Sequence, residues 1–291
     1  ENGESFYLHA GESVPIENYE VPRVHHNYKE TSDDKADWDR LMNAIANGIS
    51  SGEMTKVVSS REVEFTSETP YNVASILANL VDNNPNCFIF GYEKDGRTFV
   101  GASPEILVRH RGSEILSYAL AGTAPKDGPN GWTKEQLLTN TKNIVEHNIV
   151  RDRIVNTMKQ ITPDVMVGET GIMELSHLYH LRTIITAKDS TKSLVEWAKL
   201  LHPTPALGGE PREKALALLQ EYESHERGMY AAPFGFMKDM GDGIVVVAIR
   251  SALIMDNVLY AYAGCGVVAD SDAYEEYAET NNKMRTILDA L

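Results

Sequence analysis

The most constraining stretch of the sequence is residues 245–283, because it combines a strand pattern, a glycine-rich turn and a helix start. Two apolar runs rich in β-branched residues, 244–254 and 258–263, flank Met255-Asp256-Asn257, and this spacing predicts a β-hairpin. The second run leads into Gly264-Cys265-Gly266. Because the two glycines have no Cβ, the backbone there can approach a ligand closely. The stretch therefore predicts antiparallel sheet beside a binding surface.

A helix should follow this hairpin, from the N-cap candidates at 270–272 to about Leu291. Glu276, Glu279 and Lys283 lie at i, i+3 and i+7, so they share one face of that helix. Arg250 interrupts the otherwise apolar first strand, and an arginine is rarely buried without a partner. Together these charged groups predict a site for an anion and a metal.

Charge and cysteine content limit the partners and the environment. The 291 residues carry a formal net charge of −15, which argues against nucleic acid or an anionic membrane surface as the main partner. No run approaches the ~20 apolar residues of a membrane span. Cys87 and Cys265 are too few for a disulfide framework, so we expect a cytoplasmic protein in a reducing environment. Because the first residue is Glu, we also expect that an N-terminal piece is missing.

Helix and strand patterns alternate along the rest of the chain, after a polar start over residues 1–35 and with a loop at 126–132. Strands are predicted at 56–65, 87–91, 98–101, 106–110, 114–121, 182–186 and 231–237, and helices at 36–50, 73–81, 133–161, 193–201 and 213–219. The strand pairs resemble hairpins rather than βαβ crossovers. We therefore predict an α+β fold with large antiparallel sheets.

The charged residues in these elements each have an ordinary structural explanation. Lys56 opens a strand and could be a solvated edge residue, Glu105 could close a turn, and His177 could be a hydrogen-bonded core histidine. Glu146 lies on an apolar helix face, where a carboxylate needs a partner or a metal. No Walker loop, HExxH, GxSxG or CxxC motif is present. Spacing alone leaves both an enzyme and a binding module open.

Blocks of sequence from about Lys56 to the C-terminus follow the order of one known family. They are KVVSSRE, GASPEILV, ALAGT, KNIVEHNIVRDRI, ELSHLYHLRT, LHPTPALGG, ERGMYAAPFGF, VVVAIRSALI and AGCGVVADSDAYEEYAET. On these blocks the chain resembles the chorismate-utilising enzymes, which include isochorismate, salicylate, anthranilate and aminodeoxychorismate synthases. The resemblance implies a single chorismate-binding domain over residues 1–291, with two antiparallel sheets as its core, helices outside and a Mg²⁺-dependent site.

Two positions separate the branches of this family. Lys56 matches the water-using members, whereas anthranilate synthases typically have glutamine there. Ala206 matches isochorismate synthases, whereas salicylate and anthranilate enzymes have threonine in that block. The resemblance thus implies an isochorismate synthase of menaquinone or siderophore biosynthesis. The alternatives are a salicylate-forming enzyme, an aminating enzyme and a non-catalytic relative.

The resemblance also implies roles for individual residues. Lys56 would activate water and Glu105 would protonate the leaving hydroxyl; since burial disfavours both charged forms, we predict that both are substantially buried. The implied magnesium ligands are Glu146 and Glu279, with Glu276 acting directly or through water, while Asn143 replaces a glutamate of some relatives. The implied contacts to chorismate are Gly122, Thr123, His177, Ala206, Tyr230, Arg250, Gly264, Gly266 and Lys283. No glutaminase subunit is expected, and the protein is expected to be a monomer or homodimer.

Overall fold

The computed structural model describes residues 21–127 and 131–291. Residues 1–20 of the predicted polar start and residues 128–130 of the predicted loop lie outside these ranges. Fourteen strands occur in the described residues: β1 Tyr28–Glu30, β2 Lys56–Ser67, β3 Phe88–Lys94, β4 Arg97–Ser103, β5 Ile106–Arg111, β6 Glu114–Pro125, β7 Val165–Val167, β8 Gly171–Glu174, β9 Leu178–Lys188, β10 Gly209–Glu210, β11 Pro233–Met237, β12 Gly243–Val247, β13 Ser251–Met255 and β14 Val258–Val267.

These strands form two sheets in which every recorded pairing is antiparallel. The first sheet has the order β1-β2-β14-β13-β4-β3, with β10 added beside β2. The second has the order β11-β12-β5-β6-β9-β7, with β8 added beside β9. The predicted hairpin is present as β13 and β14, and Asp256 in its turn has the positive φ of 56° that tight hairpin turns require. The predicted α+β class with large antiparallel sheets is confirmed.

Seven helices accompany the sheets in the described residues: α1 Lys35–Ser50, α2 Val73–Asn83, α3 Lys134–Thr139, α4 Thr141–Lys159, α5 Leu194–Leu201, α6 Arg212–Tyr222 and α7 Ala273–Leu288. The largest cluster of buried apolar side chains combines both sheets with α4 and α5. A second cluster packs α2 and α7 onto the first sheet. None of these helices is both long enough and apolar enough to cross a membrane.

The predicted single helix over residues 133–161 is wrong, because the chain breaks at Asn140. Asn140 has an extended ψ of 118°, which ends α3, and its side-chain oxygen accepts hydrogen bonds from both the backbone N–H and the side-chain amide of Asn143. These bonds satisfy donors at the start of a new helix, as an N-cap does. The break directs α4 so that Asn143 and Glu146 face the protein interior.

The predicted single strand over residues 244–254 is also wrong, because the chain changes sheet within it. Strand β12 belongs to the second sheet and β13 to the first, and the turn between them contains Arg250. Arg250 has a φ of 53°, a value that is uncommon for residues other than glycine. The arginine that interrupts the apolar pattern therefore marks a crossover between sheets, not a position within a core strand.

Candidate active site

One cavity between the two sheets brings together most of the residues selected from the sequence. The predicted residues that line it are Glu105, Thr123, Glu146, Ala206, Tyr230, Arg250, Gly264, Gly266 and Lys283. Lys56, Gly122 and Glu279 contact or adjoin that lining. The wall also includes His180 and Arg227, which the sequence analysis did not select. The two sheets and α4 and α7 thus converge on one site.

Lys56 is the first residue of β2, and its side chain is fully buried. Its ammonium lies 3.0 Å from Oε1 of Glu146, which is 90 residues away in the chain. Gly266 is required here, because a Cβ at that position would collide with the Glu146 carboxylate and with Cε of Lys56. The predicted burial of Lys56 is confirmed, and the glycine makes room for its ion pair.

Glu105 lies in the short turn between β4 and β5 and is only 2% exposed. Its backbone N–H donates to the hydroxyl of Ser103, and its Oε1 has no hydrogen-bond partner among the described residues. Burial raises the pKa of Glu105 to about 8, although the charges of Lys56, Arg250 and Lys283 act in the opposite direction. At neutral pH this carboxyl group is therefore mostly protonated and can donate a proton, as the burial prediction requires.

Three glutamates near the cavity each form an ion pair with a lysine. In addition to the Lys56–Glu146 pair, Lys142 lies 2.5 Å from Glu276, and Lys283 lies 2.6 Å from Glu279. Burial alone would raise the pKa of Glu146, but three nearby ammonium groups, Lys56 foremost, hold it below its usual value. Burial and the neighbouring Glu279 carboxylate raise the pKa of Glu276 to about 7. The charges of this cluster are therefore strongly interdependent.

The same three glutamates supply the ligand atoms that a magnesium ion prefers, since Mg²⁺ binds carboxylate oxygens. The Glu276 side chain is buried; its Oε1 meets the ammonium of Lys142, and its Oε2 has no hydrogen-bond partner among the described residues. Residues 21–127 and 131–291 contain no group of three or more His, Cys, Asp or Glu side chains already in metal-binding geometry. The donor chemistry fits a hard divalent cation, but the cation would have to take over contacts now made by lysines.

Arg250 presents a buried cationic donor to the cavity. Its Nη2 donates a hydrogen bond to Nε2 of His180 at 2.9 Å. The other terminal nitrogen, Nη1, is buried and has no hydrogen-bond partner among the described residues. A buried guanidinium with an uncommitted edge is suited to bind a carboxylate.

The structure places His180, rather than His177, at the cavity. Burial, reinforced by Arg250, holds the pKa of His180 well below its usual range, so its ring is neutral and Nε2 can accept from Arg250. His177 is absent from the cavity lining and lies 2.7 Å from Asp289 and 3.2 Å from Asp127. The missed signal was the strand alternation, because β9 begins at Leu178 and places the even-numbered 178 and 180 on its buried face.

The backbone and side chains are closely packed around the remaining predicted residues, which are Gly264, Tyr230, Gly122 and Thr123. A Cβ at Gly264 would lie 2.7 Å from the hydroxyl of Tyr230, and burial raises the pKa of that hydroxyl, which therefore stays a donor. Gly122 has a φ of 81°, and the next residue, Thr123, donates its N–H to the side-chain oxygen of Asn143. Asn143 therefore orders the cavity wall beside Gly122 and Thr123.

Comparisons with known proteins identify the family of this chain. Residues 10–291 match the family described as chorismate binding enzyme. Isochorismate synthase MenF of Bacillus subtilis is 36% identical over 264 residues, covering 89% of this chain and 56% of that protein. Anthranilate synthase component 1 of Arthrobacter globiformis is 34% identical over 254 residues, covering 84% of this chain and 48% of that protein. The chain thus spans about half the length of these curated relatives.

A solved structure supports the same relationship. The menaquinone-specific isochorismate synthase MenF from Escherichia coli superposes with a TM-score of 0.83 at 29% identity, covering 94% of this chain and 66% of that one. Its name and that of the Bacillus protein describe isochorismate synthases, and that of the Arthrobacter protein an anthranilate synthase component. The family match covers nearly the whole chain and the fold superposes on that of a relative, so this chain belongs to the chorismate-binding enzyme family.

Proposed function

We propose that this chain is the catalytic domain of an isochorismate synthase, which converts chorismate to isochorismate. The observation that carries the proposal is a pair of buried groups in one site, the Lys56 side chain and a Glu105 carboxyl group that is mostly protonated at neutral pH. An isomerisation that exchanges one hydroxyl for another needs a base and an acid in one site. Ala206 and Lys56 match the isochorismate branch of the family resemblance.

The two reactive residues divide the proton transfers. Lys56, after its ammonium group has given up a proton to solvent, removes a proton from water as the water oxygen forms a bond to C2 of the ring. The ring double bonds shift, the C4–O bond breaks, and Glu105 protonates the departing hydroxyl, which leaves as water. One proton has then passed to Lys56 and one has left Glu105, so exchange with solvent restores both groups. The ring gains and loses one hydroxyl, and substrate and product are isomers.

The anionic groups of chorismate match the cationic side of the cavity. The uncommitted Nη1 of Arg250 and the hydroxyl of Tyr230 would bind the enolpyruvyl carboxylate. Glu146, Glu276 and Glu279 would hold Mg²⁺, whose charge, when it is bound, neutralises the ring carboxylate and withdraws electron density from the diene. Because the whole chain carries a net charge of −15, these local cations are what make an anionic substrate acceptable.

The test is product analysis with the purified protein, chorismate and Mg²⁺. We expect chromatography to show isochorismate as the main product, without ammonia and without a glutaminase subunit. Salicylate with pyruvate would indicate the lyase branch, and an amino product formed only with ammonia would indicate an aminating enzyme. If chorismate remained unchanged both without and with ammonia, the catalytic proposal would be wrong.

A further inference from the structure

A second arginine at the cavity, Arg227, has a different arrangement from Arg250. Its Nη1 donates to the backbone carbonyl of Leu207 at 2.6 Å, and its Nη2 donates to the carbonyl of Val58 at 2.7 Å. Nε and Nη2 also donate to the two carboxylate oxygens of Glu223, at 2.8 and 2.6 Å. Four of the five guanidinium N–H groups are therefore committed within the protein. Arg227 has little capacity left to bind a substrate carboxylate.

The bonds of Arg227 connect two segments that carry reaction-specific residues. Val58 follows Lys56 by two residues along β2, and Leu207 directly follows Ala206. The backbone N–H of Val58 also donates to the carbonyl of Gly208 at 2.9 Å. The same two segments also pair as the antiparallel strands β2 and β10. The guanidinium adds side-chain hydrogen bonds where this pairing ends, and so extends the connection to the part of the segment that carries Ala206.

Glu223 extends the arrangement to a third point on β2. Its Oε1 accepts hydrogen bonds from the backbone N–H and the hydroxyl of Ser60, at 2.9 and 2.8 Å. The strand is thus held by Arg227 at Val58 and by Glu223 at Ser60, while Arg227 holds the Ala206 segment. The side chain of Glu223 is only 6% exposed, so solvent screens this pair weakly.

We infer that Arg227 is a positioning residue, which sets the Lys56 strand and the Ala206 segment at the spacing that places the attacking water over the ring. The inference rests on the proposed isochorismate synthase function. This positioning role differs from substrate binding, because the N–H groups of Arg227 donate to backbone carbonyls and to Glu223. Loosening this arrangement should therefore slow the chemical step and leave the affinity for chorismate largely intact.

The experiment compares steady-state kinetics of isochorismate formation in two lysine substitutions and one glutamine substitution. Arg227→Lys keeps the charge but cannot reach Leu207, Val58 and Glu223 together, and we expect kcat to fall about 10- to 100-fold with KM within about 3-fold. Arg250→Lys should show the opposite pattern, a KM raised about 10-fold or more. Glu223→Gln, which keeps the packing but weakens the ion pair, should change kcat in the same direction as Arg227→Lys by a smaller factor.

Arg61→Lys is the matched control for a general loss of stability. Arg61 is also on β2, is buried, and bonds Asp34, Thr280 and Asn281, away from the cavity. We expect it to lower the melting temperature about as much as Arg227→Lys does, with kcat changed less than about 2-fold.

Two results would overturn the positioning role: an Arg227→Lys enzyme with unchanged kcat, or equal losses of kcat in the Arg227 and Arg61 variants. Failure of the proposed function is distinguishable, since the unmutated protein would then form no isochorismate. Glu223→Gln provides a second test if Arg227→Lys does not fold, because unchanged kcat in that variant would also contradict the inference.

Discussion

The ammonium of Lys56 and the carboxylate of Glu146 form a buried ion pair, 3.0 Å apart, between the first residue of β2 and the middle of α4. One glutamate therefore faces both the proposed base and the proposed metal site. A cation bound at Glu146 would draw that carboxylate away from the lysine, because both compete for the same negative charge. Metal binding and the freedom of Lys56 to act as a base are expected to be coupled.

Replacement of Lys56 is the most direct test of the proposed base. We expect Lys56→Ala to lower kcat about 10²- to 10⁴-fold, because no other group would take the proton from water. The measurement is the initial rate of isochorismate formation at saturating chorismate and Mg²⁺. Lys94→Ala, at an exposed position of β3, should retain full activity. Activity that survives Lys56→Ala would rule out this lysine as the base.

The raised pKa of Glu105 predicts how activity depends on pH. Glu105 can donate a proton only while it is protonated, so kcat should fall as the pH rises through about 8. Glu105→Gln should lower kcat by about 10²-fold or more and abolish this alkaline limb. Rate profiles from pH 6 to 10 would check the prediction. An alkaline limb that persists in Glu105→Gln would assign the titration to another group.

The same shift predicts a dependence of stability on pH. The pKa of Glu105 is raised from 4.5 to about 8 in the folded protein, so the folded state binds more protons than the unfolded state between these values. The free energy of unfolding should therefore decrease as the pH rises from about 4.5 to about 8. Glu105→Gln should stabilise the protein at pH 9 and have little effect near pH 5. Urea denaturation at both pH values measures the difference, and an equal effect at both would contradict the prediction.

Metal binding can be tested on two neighbouring residues of α7. We expect Glu276→Gln to weaken Mg²⁺ binding about 10- to 100-fold, because a buried carboxylate is replaced by a neutral amide. Glu275→Gln, on the exposed side of the same helix turn, is the control and should bind as the parent does. Titration calorimetry measures affinity without relying on catalysis, and chelation of the metal from the parent should stop product formation. Equal affinity in both variants would exclude Glu276 as a ligand.

Ala206 is predicted to influence which product forms. Ala206→Thr adds a methyl and a hydroxyl group to the cavity wall, and we expect isochorismate formation to fall at least 10-fold with a larger fraction of salicylate and pyruvate. Ala206→Val has nearly the same shape without the hydroxyl and separates the effect of volume from that of polarity. Chromatography of the product mixture provides the readout. The same distribution in all three proteins would remove Ala206 as a determinant of specificity.

Local sequence patterns were sufficient for the α+β class and the hairpin, because both depend on residues close together in the chain. They failed at residue 250, since an apolar run has the same pattern in one strand as in two strands of different sheets. They failed at Asn140 because one capping residue weighs little against a long helical pattern. His180 was missed because its distinction from His177 depends on where β9 begins.

Prediction of the site from the sequence had a further limit. The family resemblance selected nine residues that line the cavity, but it contained no information on their partners. The pairings of Lys56 with Glu146 and of Arg227 with Val58 join residues 90 and 169 positions apart. Such contacts are determined by how sheets and helices pack, and a single sequence does not encode them in any short pattern.

The crossover at Arg250 connects the candidate site to both sheets. The carbonyl of Arg250 accepts a hydrogen bond from Ala102 in the first sheet, while Ala248, two residues earlier, donates to Ala232 beside the second. The peptide that carries the guanidinium proposed to bind an anion is thus also the connection between the two sheets. An anion bound by Arg250 would therefore restrain that connection as well as occupy the cavity.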